Sequence, residues 1–163
     1  MSEVSEILLM LGEALVNDED IKQFCQDNFG RDQTVFVGMN NEDTPADDEY
    51  PLIVIFYAER VVGDSSNINC FASEIGAGVR NKNLEETGKL KVYTGMIQVE
   101  DLREIIETAI FAYRLKHPRE FGKINVSGDT RSETYYPIFR SNTLITIEKI
   151  RTSRKPIGKK KGG

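Results

Sequence analysis

The chain has 163 residues, 39% of them hydrophobic and 29% charged, which excludes a collagenous, low-complexity or wholly disordered protein. Seven of the 21 basic residues and none of the 26 acidic ones lie from Lys149 onward. Residues 1–148, which we call the body of the chain, therefore carry a formal charge of −12 and are expected to repel nucleic acid. No apolar run reaches the roughly 18 residues that span a bilayer, the N-terminus is acidic and only two cysteines are present, so we expect neither a membrane protein nor a secreted one.

The N-terminal segment has the pattern of two helices. Apolar residues at helical spacing, with Ser2 as the N-cap, predict a first helix over about residues 3–16. A second, shorter helix is predicted after residues 17–20, and Gly30 suits the left-handed residue that ends it. Cys25 lies on the apolar face of this helix, which indicates a structural thiol rather than a nucleophile because no histidine is near it in the sequence.

From Thr34 the pattern changes to that of strands. Residues 34–38 and 51–58 predict two strands on either side of an acidic loop. The second is nearly all apolar, which predicts a central strand covered on both faces, or a strand covered by a helix on one face and by a neighbouring subunit on the other. Residues 68–81 and 89–96 predict a meander of antiparallel strands.

The C-terminal half is predicted to contain a long helix followed by further strands. Residues 99–117 have apolar positions at helical spacing, and Pro118 ends the pattern. Residues 125–134 are polar and predict a hairpin, residues 135–137 predict an aromatic corner, and residues 144–150 predict a closing strand. The fold class is therefore α+β, with a mainly antiparallel sheet packed against one long helix and one or two N-terminal helices.

No group of residues has the spacing of a catalytic, metal or cofactor site. Gly76-Ala77-Gly78 resembles the start of a dinucleotide-binding fingerprint, but no helix is predicted after it, so we interpret the glycines as marking a bulge or bend. His117 is interpreted as a helix-capping residue, and residues 103–107 as ion pairs on a solvated helix face. We therefore expect a protein that is not an enzyme and uses no cofactor or metal.

The order of these elements resembles that of bacteriophage tail terminator or tail-completion proteins. The resemblance covers residues 5–150 and rests on element order, length and loose patterns at Phe29-Gly30, residues 35–38, residues 49–54 and Tyr93-Thr94-Gly95. It implies a homo-oligomeric ring, typically a hexamer, that caps the tail tube and provides the surface for head joining. The implied partners are further copies of the chain, the tail tube protein and a head-connector protein, while DNA passes through without specific binding and no membrane is involved. The implied location is the virion tail or neck, after assembly in the bacterial cytoplasm.

A ring needs two different surfaces on each subunit. Our candidates are an exposed sheet edge, the acidic loop and the polar hairpin, with Asp47, Asp48, Glu49, Asn125, Arg131 and Glu133 as interface residues. We expect residues 1–150 to form a single domain and residues 151–163 a basic, disordered tail. The tail carries Arg151, Arg154, Lys155, Lys159, Lys160 and Lys161.

Two other functions are compatible with the same residues. One is a small α+β binding or regulatory module that uses its basic tail to contact an acidic partner or nucleic acid, in which case binding would be salt-sensitive and the body monomeric. The other is a small enzyme that uses carboxylates such as Asp129 or Glu133, which would show a pH-dependent activity.

Overall fold

Helices lie on one face of a six-stranded sheet in a computed structural model that describes residues 1–40, 42–61, 68–127 and 132–150. The fold class is α+β, as predicted. The helices are α1 (Glu3–Asn17), α2 (Glu19–Phe29) and α3 (Thr94–Lys116). The strands are β1 (Thr34–Val37), β2 (Leu52–Val61), β3 (Ile68–Arg80), β4 (Leu84–Thr87), β5 (Leu90–Tyr93), β6 (Lys123–Ser127), β7 (Ser132–Tyr135) and β8 (Ile138–Ile150).

Local hydrogen bonds set the ends of α1 and α2. The Ser2 hydroxyl accepts the Ser5 amide at 3.2 Å, and the Asp18 carboxylate accepts the Ile21 amide at 2.9 Å, so each helix begins with a side-chain cap. Gly30 has a φ of 70°, and its amide donates to the carbonyl of Gln26 at 3.0 Å. The predicted Ser2 cap and the left-handed end of α2 are confirmed, and α2 begins at Glu19, within the predicted start signal at residues 17–20.

The sheet is mainly antiparallel, as predicted, but its strand order differs from a simple meander. The order is β1-β2-β3-β8-β6, with β7 also paired to β8, and β1 pairs with β2 in parallel. After β3 the chain leaves the sheet and forms a separate hairpin from β4 and β5. The predicted meander over residues 68–96 is therefore wrong beyond β3, because β8 takes the place beside it.

The predicted hairpin at residues 125–134 is also wrong. Asn125 pairs with Thr146 and Thr134 pairs with Phe139, so β6 and β7 both run along the same edge of β8. The chain reverses instead between β7 and β8, at Tyr136-Pro137. The predicted aromatic corner is therefore the turn of a longer hairpin.

Helix α3 begins five residues earlier than predicted. The amide of Thr94 donates to the carbonyl of Asn83 at 3.2 Å, and the Asn83 side chain donates to the Thr94 hydroxyl at 2.7 Å. The strand expected up to residue 96 therefore ends at Tyr93. At the other end, the backbone amide of His117 caps the helix by donating to the carbonyls of Tyr113 and Arg114 at 3.1 Å.

The sheet has two unlike faces because side chains alternate along each strand. The helix-covered face holds the larger core, in which Ile53, Ile55 and Ile75 of the sheet meet residues such as Leu11 and Ile106 of the helices. A smaller cluster lies on the opposite face, which we call the outer face. Its buried residues are Tyr50, Leu52 and Val54, with Phe36, Met39, Phe56 and Ile138 packed against them.

Gly76 and Gly78 occupy positions on the outer face of the sheet, and they mark no bulge. Leu52 pairs with Gly78 and Val54 with Gly76 in unbroken register, whereas the irregularity in this strand pair lies between Tyr57 and Glu59. A Cβ on Gly76 would lie 2.8 Å from Oδ1 of Asn142, the residue opposite it on β8. The glycines therefore leave space above the sheet on this face, and they do not bend the strand.

Candidate functional site

The acidic residues predicted as an interface lie in one exposed turn. Asp47–Glu49 form a single 3₁₀ turn, and the Glu49 carboxylate accepts the Ala46 amide at 2.7 Å. Asp47 makes an ion pair of 3.0 Å with Nε of Arg80, the last residue of β3. Asp48 is exposed. The turn is therefore fixed to one end of the sheet while Asp47 and Asp48 remain exposed and Glu49 is half-buried.

The remaining predicted interface residues do not join this turn. Asn125 is exposed on β6 and pairs with Thr146, whereas Arg80 beside the acidic turn pairs with Ile138. These two positions on β8 are eight residues apart, which corresponds to about 27 Å along a strand. Glu133 belongs to β7, and only its backbone is described. Asp129, Arg131 and the tail residues Arg151, Arg154, Lys155, Lys159, Lys160 and Lys161 lie outside the described residues.

The outer face contains a groove that the sequence pattern did not indicate. Its volume is about 330 Å³, and it lies over the middle of β2, β3 and β8. Leu52, Val54, Phe56 and Met39 give it an apolar side, and Gly76 leaves its floor open. The nearly all-apolar segment at residues 51–58 and Gly76-Ala77-Gly78 were the available signals, but their meaning depends on which strands lie side by side.

Charged groups stand at opposite ends of this groove. Glu74 lies opposite Leu144 and Arg140 lies opposite Gly78, so four residues of β3, or about 13 Å, separate the two positions. Within the described residues neither Glu74 nor Arg140 has an ion-pair partner. The groove thus combines an apolar middle with a carboxylate at one end and a guanidinium at the other; Glu133, the residue opposite Arg140 on β7, is described only in its backbone.

An exposed apolar surface lies on the β4–β5 hairpin and the turn beside it. Leu90 is 64% exposed near the tip of the hairpin, which turns at Gly88 with a φ of 62°. Tyr93 lies at its base, where its ring is 5.6 Å from that of Tyr136. Both rings remain about half exposed, at 46% and 56%. This surface is built from different elements than the groove and has a projecting rather than a concave shape.

The charged residues predicted to form a solvated face on α3 are instead packed against β8. Arg103 contacts Glu100 at 2.9 Å and Glu107 at 2.7 Å. The same carboxylates accept hydrogen bonds from the buried hydroxyls of Ser141, at 2.8 Å, and Thr143, at 2.7 Å. Burial acts against the Arg103 charge, but hydrogen bonds and charge attraction from the two glutamates raise its pKa above the ordinary value. The network connects the helix to the sheet.

The two cysteines are not activated nucleophiles. Burial, with a smaller contribution from Asp32, raises the pKa of Cys25 to about 12. Burial, followed by the charges of Glu148 and Glu59, also raises the pKa of Cys70. A thiol with a raised pKa stays protonated near neutral pH. The prediction that Cys25 is a buried thiol is confirmed, since its side chain is fully buried.

The end of α3 borders an open depression of about 510 Å³ between α1 and α2. His117 and Lys116 stand on one side of it, and Glu13 and Asp18 on the other. The His117 ring stacks on Tyr113 with 4.3 Å between ring centroids. No hydrogen bond between His117 and a Ser or Cys side chain is present among the described residues, so the depression presents no nucleophile–base pair.

The described residues hold neither a metal cluster nor a membrane-spanning helix. Across residues 1–40, 42–61, 68–127 and 132–150, no three His, Cys, Asp or Glu side chains are grouped so as to hold a metal ion. None of the helices in the described part of the chain is long and apolar enough to cross a membrane. No protein-family model matches the chain, and no curated protein matches it significantly.

Proposed function

We propose that the protein is a tail terminator-like structural protein of a phage or prophage. In this proposal identical subunits, typically six, close into a ring that caps the tail tube and provides the surface for head joining. The protein acts through stoichiometric contacts with itself, with the tail tube protein and with a head-connector protein.

The observation that carries the proposal is the presence of two unlike apolar surfaces on one subunit. A ring forms when one patch of each subunit binds a different patch of the next and the rotation closes. The outer-face groove is concave and lined by Leu52, Val54 and Phe56, whereas the β4–β5 hairpin projects with Leu90 exposed. These shapes suit head-to-tail contact between copies better than contact of one patch with itself.

The open sheet edges add two further places for contact. β1 is one edge strand of the sheet, and β6 with β7 forms the other. Val37 on β1 is 43% exposed and Val126 on β6 is 37% exposed. Unpaired edges readily accept backbone hydrogen bonds from another chain. The two edges are different in sequence, which again favours a head-to-tail arrangement.

The charge of the body suits a ring through which DNA passes. Residues 1–148 carry a formal charge of −12, and tight DNA binding requires cations that neutralise phosphates. A channel lined by such a body would repel DNA and let it slide. We therefore expect that the ring does not bind DNA at physiological salt.

The proposal is tested in the phage or prophage that encodes the chain. Deletion of the gene should give tail tubes of uncontrolled length that carry no heads, and expression of the chain in trans should restore a uniform length and joined heads. Electron micrographs of lysates provide the measurement. Tubes of normal length with joined heads in the deletion strain would contradict the proposal. The binding-module alternative would then be tested by salt-sensitive binding of the chain to an acidic partner or to nucleic acid.

A further inference from the structure

We infer that the outer-face groove receives the β4–β5 hairpin of the neighbouring copy in the ring. This inference rests on the proposed function and assigns the contact that closes the ring. The groove and the hairpin belong to different elements of the subunit, so one copy can offer its hairpin while its own groove accepts another.

The strands of the hairpin are mostly exposed, and the ring contacts of Tyr93 with Tyr136 and Phe139 lie at its base. All but one of the eight strand positions in β4 and β5 are exposed, the exception being the half-buried Val92. A two-stranded hairpin by itself is marginally stable in water. Leu90 near its tip leaves 64% of its surface exposed. A partner that covers this apolar residue would stabilise both the hairpin and the assembly.

The charges of the hairpin complement those of the groove. Glu86 and Lys91 form an ion pair of 3.2 Å with each other, which leaves Glu85 and Lys89 without an ion-pair partner among the described residues. Glu85 pairs with Val92 and Lys89 lies in the turn beyond the Thr87–Leu90 pair, so about three strand levels, or roughly 10 Å, separate these two residues, against about 13 Å between the groove positions Glu74 and Gly78, the residue opposite Arg140. The hairpin thus presents an anion and a cation to the cation and the anion of the groove, and the difference in spacing is within the reach of the long Lys89 and Arg140 side chains.

This match fixes the direction of docking. With the hairpin tip at the Glu74 end of the groove, Lys89 meets Glu74, and Glu85 nearer the base meets Arg140. The neighbouring tip residue Leu90 then lies against Phe56, which pairs with Glu74 across the strands. The opposite direction would bring Glu85 to Glu74 and Lys89 to Arg140, and like charges oppose docking.

The floor of the groove admits this contact because Gly76 has no side chain. A Cβ at this position would already lie 2.8 Å from Asn142 Oδ1. A branched side chain there would fill the space over Val54, which pairs with Gly76. We therefore expect Gly76→Val to block docking even where the sheet still folds.

The test is a charge exchange measured by native mass spectrometry and sedimentation velocity. Arg140→Glu and Glu85→Arg should each weaken ring formation by about tenfold or more, because each places like charges together. The combined variant should restore assembly toward the wild-type level, since the pair is re-formed with exchanged signs. Asp101→Arg, a charge reversal at an exposed position of α3, is the matched control and should assemble normally. Circular dichroism verifies the fold of every variant.

A second measurement does not depend on charge. In a Cys70→Ser background, Leu90→Cys protein mixed with Phe56→Cys protein should form a disulfide-linked dimer under mild oxidation, whereas neither protein should do so alone. A protein carrying both substitutions should form a covalent ladder that ends at the ring. Intact rings without cross-linking, or without rescue by the charge exchange, would overturn this contact and leave the ring itself standing. A wild-type chain that is monomeric at every concentration would overturn both proposals.

Discussion

Gly95 at the start of α3 lies directly against the ring of Phe139 on β8. A Cβ at Gly95 would be 2.7 Å from Cε2 of that ring and closer still to Cδ2. Phe139 is 1% exposed and cannot move aside into solvent. The contact explains why the chain can pass from the hairpin into the long helix at this point, since only a residue without a side chain fits there.

Gly95→Ala is therefore expected to destabilise the fold. Alanine favours a helix by about 1 kcal/mol over glycine, but overpacking costs about 1–3 kcal/mol, so the free energy of unfolding should fall. Asp101→Ala is the matched control, because Asp101 is exposed on the same helix and such a surface substitution changes the free energy of unfolding by about 0.5 kcal/mol or less. Urea unfolding should show a loss for the first variant and little change or a gain for the second. Equal stabilities would contradict the packing of α3 on Phe139.

Removal of Arg103 should destabilise the connection between α3 and β8. Arg103→Ala leaves the carboxylates of Glu100 and Glu107 close together and partly buried without their cation, at a cost of about 1–3 kcal/mol. Arg103→Lys should recover only part of this, since an ammonium cannot reproduce the geometry of the guanidinium. Glu104→Ala on the exposed side of the same helix should change the free energy of unfolding by less than about 0.5 kcal/mol. A comparable loss from both alanine variants would argue against the network.

The Cys25 thiol should make stability fall at alkaline pH. Its pKa rises from 9.0 to about 12 on folding, so the native state retains a proton that the unfolded chain releases. The stability gained by keeping the thiol neutral is present below pH 9 and decreases as the pH rises toward 12, by about 1.4 kcal/mol per unit. Cys25→Ala should remove this contribution. Thermal unfolding of both proteins at pH 8 and pH 10 gives the comparison, and identical shifts in Tm would contradict it.

Charge reversal of the acidic turn should impair assembly without unfolding the protein. The ion pair between Asp47 and Arg80 involves an Asp47 side chain that is 74% exposed, and such pairs stabilise a fold by about 0–1 kcal/mol. The triple variant Asp47→Lys, Asp48→Lys and Glu49→Lys should therefore keep its circular dichroism spectrum but lose ring formation in sedimentation velocity. Unchanged ring formation and tail completion would eliminate this turn as an interface.

The sequence predicted best those features that depend on neighbours in the chain. Ser2 and Gly30 occupy their predicted places because a cap or a left-handed residue is determined within one helical turn. The start of α3 was missed because Thr94 is fixed by Asn83, across the hairpin. Tyr93-Thr94 also has the β-branched and aromatic character of a strand, which concealed the boundary.

The groove could not be predicted because it depends on strand order. Gly76 lies between Val54 of β2 and Asn142 of β8, and neither neighbour is near it in the sequence. The same dependence hid the parallel pairing of β1 and β2. At residues 125–134 the polar composition predicted a hairpin, but Asn125 and Thr134 both pair with β8 and not with each other.

The mass and symmetry of the protein in solution test the central claim most directly. Native mass spectrometry with negative-stain imaging, at low and high protein concentration, should show closed rings of typically six times the 18.4 kDa subunit mass. Class averages should have the corresponding rotational symmetry around a central opening. A single species of 18.4 kDa at every concentration, with no ring on tail tubes, would contradict the account.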